Sequence, residues 1–278
     1  MSLNRLLLSS CISVDYPNNQ GVLREVRIEI HPGEIVGLVG ESGSGKSTIA
    51  LALLRLLSFK GAKISGEVIF EGEDLLKKSE SELRRIRGRR MSIVLQSPLA
   101  SLNPALCIGT QLKQAWRAHE QKGECGVPIR TALRSARLPD HEEFLRRRPS
   151  QLSVGQGQRV NIAMAVLHRP ALLIADEATS ALDTITQSEI LNLFALLNRE
   201  MRMAVLYISH DLLSVAALCN RVAILQKGEV VETGTTEAIF TSPRHPYTQK
   251  LVQAIPRMRG RKVLEGACDG DTRELVSS

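Results

Sequence analysis

"EIVGLVGESGSGKSTIALALLRLL", residues 34–57, decides the fold class. Residues 34–40 are an apolar run without polar alternation, as in a strand buried on both faces. Residues 48–57 follow a helical pattern. Between them Gly40–Ser47 matches G-x-x-x-x-G-K-[ST] at every defined position, and a strand before and a helix after are the context that confirms such a match. Glycines in such a loop let backbone N–H groups turn inward on phosphate oxygens, and the helix N-terminus adds partial positive charge. Gly40, Glu41, Ser42, Gly43, Ser44, Gly45, Lys46, Ser47 and Thr48 are therefore the candidate phosphate-binding loop. Lys46 is expected to reach the β- and γ-phosphates, and Ser47 to ligate Mg²⁺.

Outward from the loop, the chain reads as strands alternating with helices. "VLREVRIEI" (22–30) alternates side to side and stops at the turn signal "HPGE"; "GEVIFEGEDL" (66–75) returns to strand. The stretch from about 97 to 154 changes character, with helical patterns in "IGTQLKQAWRAHEQKG" (108–123) and "IRTALRSARL" (129–138), and reads as a mostly helical insertion. "ALLIAD" (171–176), a helix over about 186–201, "AVLYISHD" (204–211) and a hairpin in "RVAILQKGEVVETG" (221–234) around Lys227-Gly228 complete an α/β pattern. This order predicts a mainly parallel sheet with ligand at the C-terminal ends of its strands. After about 242 the chain is rich in Pro, Gly and Arg and reads as a tail.

Several side chains fall at predicted strand ends. "LLIADE" (172–177) closes on two carboxylates. Alone, such a pair also suits a helix N-cap and a first-turn acid. Beside a phosphate loop, Asp176 is placed to hold the Mg²⁺ shell and Glu177 to polarise the attacking water. His210 lies just past another apolar strand and is a candidate contact for the γ-phosphate. Gln96, after "MSIVL", is placed to bridge Mg²⁺ or water to the segment that follows. "QLSVGQGQRVNIAMAVL" (151–167) leaves Ser153, Gly155 and Gly157 at the mouth of a helix, a second anion site made of backbone N–H groups and a hydroxyl. Two phosphate-binding loops but one acid pair suggest that the second loop closes over nucleotide held by another subunit.

Composition narrows the class less. The net charge of +7, from 36 basic and 29 acidic residues, suits an anion-binding enzyme, a nucleic-acid binder or a neighbour of anionic lipid. Aromatics at 3% argue against stacking platforms for single strands. The 5 cysteines are odd in number and form no CxxC pair, which favours reduced thiols in a cytosolic protein over disulfides or zinc. No apolar run approaches a membrane span, and "RLLLSSC" (5–11) is too short for an export signal. The basic runs "RRIRGRR" (84–90) and "RRR" (146–148) read either as solvated faces or as a nucleic-acid footprint.

Gly40–Ser47, Gln96, "LSVGQ" (152–156), "LLIADEATSALD" (172–183) and His210 occur in the order and spacing of the ATP-binding-cassette ATPases, which the chain resembles over about residues 3–255. "RIRGRRMSIVLQ" (85–96), "QSPLASLNP" (96–104) and "SPRHPYTQKLVQAIP" (242–256) are similar to the ATPase subunits of bacterial dipeptide/oligopeptide and nickel importers. The resemblance implies a RecA-like, mainly parallel core sheet with an N-terminal antiparallel β subdomain and a helical signature subdomain. It implies an ATPase domain over 1–241, with the helical part at about 97–160, and an importer-type extension over 242–278, partly flexible. It also implies a head-to-tail dimer with two ATPs, each between one subunit's phosphate loop and the other's Ser153, Gly155 and Gln156. Further implied partners are two membrane permease subunits and, indirectly, an extracytoplasmic solute-binding protein. That would put the chain peripherally at the cytoplasmic face of the inner membrane. Tyr16 matches the aromatic that stacks on adenine, with a core tyrosine as the other reading. An ABC ATPase acting on nucleic acid or ribosomes is the alternative class.

Two positions depart from the family pattern. Val154 stands where LSGGQ has its first glycine, adding bulk and removing backbone freedom next to the partner's γ-phosphate. This suggests a heterodimer with unequal sites, a homodimer being the alternative. Ala178 stands where proline is usual. Cys268, the one cysteine after residue 242, offers too few ligands for a four-cysteine iron–sulfur site within one chain.

Overall fold

The computed structural model describes residues 6–120 and 122–255. β1 (Leu8–Tyr16) turns back into β2 (Asn19–Ile30), and β3 (Ile35–Val39) leads through the glycine loop into α1 (Lys46–Leu53). β4 (Lys63–Phe70), β5 (Glu73–Asp74), α2 (Glu80–Ile86) and β6 (Met91–Val94) follow. The helical insertion holds α3 (Ile108–Arg117), α4 (Gly126–Ser135), α5 (Glu142–Arg146) and the start of α6 (Val154–Val166). The chain then alternates through β7 (Leu172–Asp176), α7 (Thr184–Met201), β8 (Ala204–Ser209), α8 (Leu212–Leu218) and β9 (Arg221–Gln226). β10 (Glu229–Thr235), α9 (Thr236–Thr241) and α10 (Pro246–Gln253) close it.

Two sheets result. The first is antiparallel, in the order β2-β1-β4-β5; the second runs β10-β9-β3-β8-β7-β6, parallel except for the β9–β10 hairpin. β3, β7 and β8 are buried at every position, so the apolar runs do mark strands covered on both faces. One face packs on the antiparallel sheet and α1 through Leu38, Ile49, Leu53, Ile174 and Leu206. The other packs on α6, α7 and α8 through Val39, Leu173, Phe194, Tyr207 and Val215. Leu112, Leu133, Phe144 and Val160 give the helical insertion its own core.

Local chemistry sets the boundaries. Lys227 at φ +49° and Gly228 at φ +82° make the two-residue hairpin turn read from the sequence. α7 begins two residues before the expected Thr186, because Asp183 caps it by accepting from the Thr186 N–H at 3.0 Å. The chain after 242 is not loose over its first part: α10 buries Tyr247 and Thr248, and Tyr247 joins the α7–α8 core. The rest of the expected extension, 256–278 with Cys268, lies outside the described residues.

Candidate functional site

Because β3, β8, β7 and β6 run the same way, their C-terminal ends share one edge. The residues next along the chain are Gly40–Ser47, His210, Glu177 and, two residues after β6, Gln96. The strand-end side chains picked from the sequence therefore converge on one place. In the loop, Gly43 at φ +80° and Gly45 at φ +107° take backbone shapes that side-chain-bearing residues rarely adopt. Lys46 is 5% exposed; its Nζ donates to the Gly40 carbonyl at 2.8 Å and the Glu41 carbonyl at 2.9 Å, and lies 3.7 Å from Glu177 Oε1. Burial pushes the Lys46 ammonium below the usual lysine range, while the Glu177 and Asp176 carboxylates pull it partly back.

Glu177 is held from three sides. Its Oε2 accepts from Gln96 Nε2 at 3.0 Å, and its Oε1 lies 3.4 Å from His210 Nδ1 as well as near Lys46. Its backbone sits at φ +48°, the left-handed region unfavourable for a non-glycine residue, and its N–H is fixed to the Ile208 carbonyl at 2.9 Å. Next to it, Ser47 Oγ donates to Asp176 Oδ1 at 3.1 Å, and burial raises the Asp176 carboxyl above its ordinary range.

The loop fits a phosphate group and the neighbouring oxygens fit a hard divalent cation. Ser44 Oγ is buried without a hydrogen-bond partner among the described residues, inside a loop whose backbone N–H groups and ammonium are otherwise suited to anions. A hydroxyl, a carboxylate and an amide oxygen from Ser47, Asp176 and Gln96 are the oxygen donors Mg²⁺ takes.

The signature stretch stands apart from this cluster within the chain. Ser153 caps α6 by accepting from the Gln156 N–H at 3.1 Å, while the Gln156 side chain accepts from the Ser153 N–H at 3.1 Å. No hydrogen bond joins Ser153, Gly155 or Gln156 to Gly40–Ser47 among the described residues, and both Ser153 and Val154 face outward. Tyr16, at the end of β1, is half-buried against the core, with no hydrogen bond or ring contact to the loop among the described residues.

Reading the sequence missed three groups around the site. Gln158, fully buried on α6, donates to the Ala178 carbonyl at 2.7 Å, one residue past Glu177. Asn161, also on α6, donates to the Pro98 carbonyl at 2.8 Å, two residues past Gln96. Tyr247 Oη accepts from the Glu41 N–H at 3.2 Å. A polar residue recurring on the inner face of an otherwise apolar helix was the available signal for the first two. The basic run at 84–90 lies mostly at the surface and pairs with acids there: Arg84 and Arg87 with Glu80, Arg89 with Glu120 and Arg90 with Glu71.

A parallel sheet with a phosphate loop, an acid pair and polar side chains gathered at its C-terminal edge defines a P-loop nucleotide-binding cassette. A family model described as "ABC transporter" matches residues 23–180, more than half of the chain, and one described as "Oligopeptide/dipeptide transporter, C-terminal region" matches 231–274. The chain belongs to the ABC transporter family. It is 42% identical over 252 residues to the glutathione import ATP-binding protein GsiA of Salmonella choleraesuis, covering 87% of this chain and 40% of that protein. The GsiA of Shigella boydii is 41% identical over 251 residues with the same coverage. The chain thus spans about 40% of the length of the curated relatives it matches. Among solved structures, the ATP-binding cassette MJ0796, a dimer in a post-hydrolysis state bound to ADP and Pi, superposes with a TM-score of 0.70 at 28% identity. It covers 82% of this chain and 98% of that one. The cbiO1 subunit from Clostridium perfringens, part of the ABC transporter complex cbiONQ, gives a TM-score of 0.73 at 24% identity, over 91% of this chain and 97% of that one, and supports the fold alone. No helix among the described residues is long and apolar enough to cross a membrane.

Proposed function

We propose that the chain is the ATP-hydrolysing subunit of an importer for short peptides, docked on two permease subunits at the cytoplasmic face of the inner membrane. The observation that carries this reading is the convergence of Lys46, Ser47, Gln96, Asp176, Glu177 and His210 at one sheet edge, in a chain that also carries the peptide-importer C-terminal region. Glutathione, named for the GsiA relatives, belongs to the same substrate class.

In this reading the loop N–H groups and Lys46 hold the β- and γ-phosphates of ATP, and Tyr16 offers a face to adenine. Ser47, Asp176 and Gln96 hold Mg²⁺, which neutralises phosphate charge when bound. Glu177 takes a proton from water as its oxygen attacks the γ-phosphorus; the bond to the bridging oxygen breaks and ADP leaves. His210 and Gln96 keep the Glu177 carboxylate oriented. The Ser153 hydroxyl and the first N–H groups of α6, exposed and uncommitted to the chain's own loop, cap an ATP held by a second ATPase subunit. The test is hydrolysis by the intact complex in liposomes. ATP turnover that rises with a peptide-loaded binding protein and not with nucleic acid is expected; stimulation by nucleic acid alone would overturn the reading.

The partner subunit is proposed to be a different polypeptide. Val154, 42% exposed at the first turn of α6, adds a branched side chain where the neighbour's γ-phosphate arrives. Val154→Gly is expected to raise hydrolysis by the assembled complex by about two- to tenfold, a barrier change of at most ~1.4 kcal/mol. An unchanged rate would show that the two sites are not unequal on this account.

A further inference from the structure

The peptide joining Gly40 to Glu41 is engaged at both ends. Its carbonyl accepts Lys46 Nζ at 2.8 Å, and its N–H donates to Tyr247 Oη at 3.2 Å. In a planar trans peptide these two groups point to opposite sides of one rigid plate, so the hydroxyl fixes the orientation of the carbonyl that steers the ammonium. The plate has little freedom on its own account. A Cβ at Gly40 would meet Ser44 Oγ at 2.7 Å and the Leu225 carbonyl oxygen.

Tyr247 is itself firmly seated. It is 7% exposed, with its ring in the α7–α8 core. The start of α10 is anchored to β10 by Glu232, whose carboxylate accepts from the Arg244 N–H at 2.8 Å and the His245 N–H at 3.0 Å. His245 Nδ1 then accepts from the Tyr247 N–H at 3.2 Å. Glu232, His245 and Tyr247 all fall within the stretch matched as the peptide-transporter C-terminal region, 231–274. A continuous set of hydrogen bonds therefore runs from that region, through one hydroxyl, to the lysine of the phosphate loop.

We propose that Tyr247 is a positioning residue for nucleotide binding. It holds the Gly40–Glu41 peptide so that Lys46 is aimed, and the seating of α10 thereby sets the affinity of the loop for a nucleoside triphosphate. The inference rests on the loop binding ATP, and it gives the C-terminal region a direct hold on the site. A partner that clamps α10 tightens ATP binding; one that lifts α10 loosens it.

Tyr247→Phe removes the hydroxyl and keeps the ring. The dissociation constant of the full chain for ATP and the KM of the assembled complex are expected to rise about three- to tenfold, the worth of one hydrogen bond, with kcat of the complex changed by less than about twofold. Hydrogen exchange at the Glu41 amide without nucleotide is expected to speed up, while the melting temperature falls by no more than about 4 °C, the stability worth of that same single bond. A merely structural role would instead lower melting temperature and kcat together and leave KM alone, and that result overturns the proposal. Equal ATP affinity in variant and wild type overturns it too; a wild type that binds no ATP overturns both this proposal and the ATP reading beneath it. Should Tyr247→Phe melt early, Glu232→Gln, which loosens the start of α10 without touching the ring, must reproduce the rise in KM, and its failure to do so counts against the proposal.

Discussion

Glu177→Gln is expected to slow ATP hydrolysis by about 10²- to 10⁴-fold, the usual worth of a positioned general base, while ATP binding stays near the wild-type level. The amide fills the same space. Its oxygen, in the place of Oε2, still accepts from Gln96 at 3.0 Å, while its NH2 takes the place of Oε1, 3.4 Å from His210 Nδ1. What disappears is the capacity to take a proton from water. Binding has no reason to weaken, since removing a carboxylate 3.7 Å from Lys46 leaves that ammonium freer to face phosphate. Single-turnover hydrolysis and equilibrium nucleotide titration separate the two effects. A loss smaller than about tenfold would move the proton acceptor elsewhere, with His210 the nearest other candidate.

The backbone of Glu177 supports this role on separate grounds. A φ of +48° at a non-glycine residue costs on the order of 1–3 kcal/mol and persists only where the surroundings over-determine it. Here the surroundings are the strand bond to Ile208, the Gln96 amide and the buried lysine. The strain places a carboxylate beside the phosphate loop, at the strand edge where Ser47 and Asp176 are already paired.

The site was legible in the sequence to the extent that it is made of contiguous signals. Gly40–Ser47 specifies its own loop because glycine positions and the following helix are local, and "LLIADE" declares a buried strand with acids at its end. That β7 and β8 are neighbours, so that His210 meets Glu177, was readable only as an expectation from alternating strands and helices. The order β10-β9-β3-β8-β7-β6 is a non-local outcome of packing. Tyr247 shows where reading stops. It lay in plain view within "SPRHPYTQKLVQAIP", but its hydroxyl meets a peptide 206 positions earlier in the chain, and no local pattern encodes that meeting. Gln158 and Asn161 were hidden for a different reason: both are polar residues on a helix read by its apolar face, and their acceptors, Ala178 and Pro98, belong to separate loops.

Removing the lysine tests the anion site itself. Lys46→Ala is expected to weaken ATP binding by at least about 2 kcal/mol, roughly thirtyfold, because it deletes a desolvated cation from the middle of the phosphate loop. The ammonium is almost fully buried and is committed to two backbone carbonyls and one carboxylate, so water cannot replace it on the phosphate at comparable cost. Burial already presses the Lys46 pKa downward, a standing cost of keeping charge out of water that binding a polyanion would relieve. A thermal melt with and without ATP reads the loss directly. At a hundredfold excess of ATP over the wild-type dissociation constant, the wild type gains about 2.7 kcal/mol of stability, and the variant at the same concentration gains under about 1 kcal/mol. If the variant kept the full ATP-dependent gain, the glycine loop would not be the principal phosphate contact, and Glu177 would be poised over the wrong place for hydrolysis.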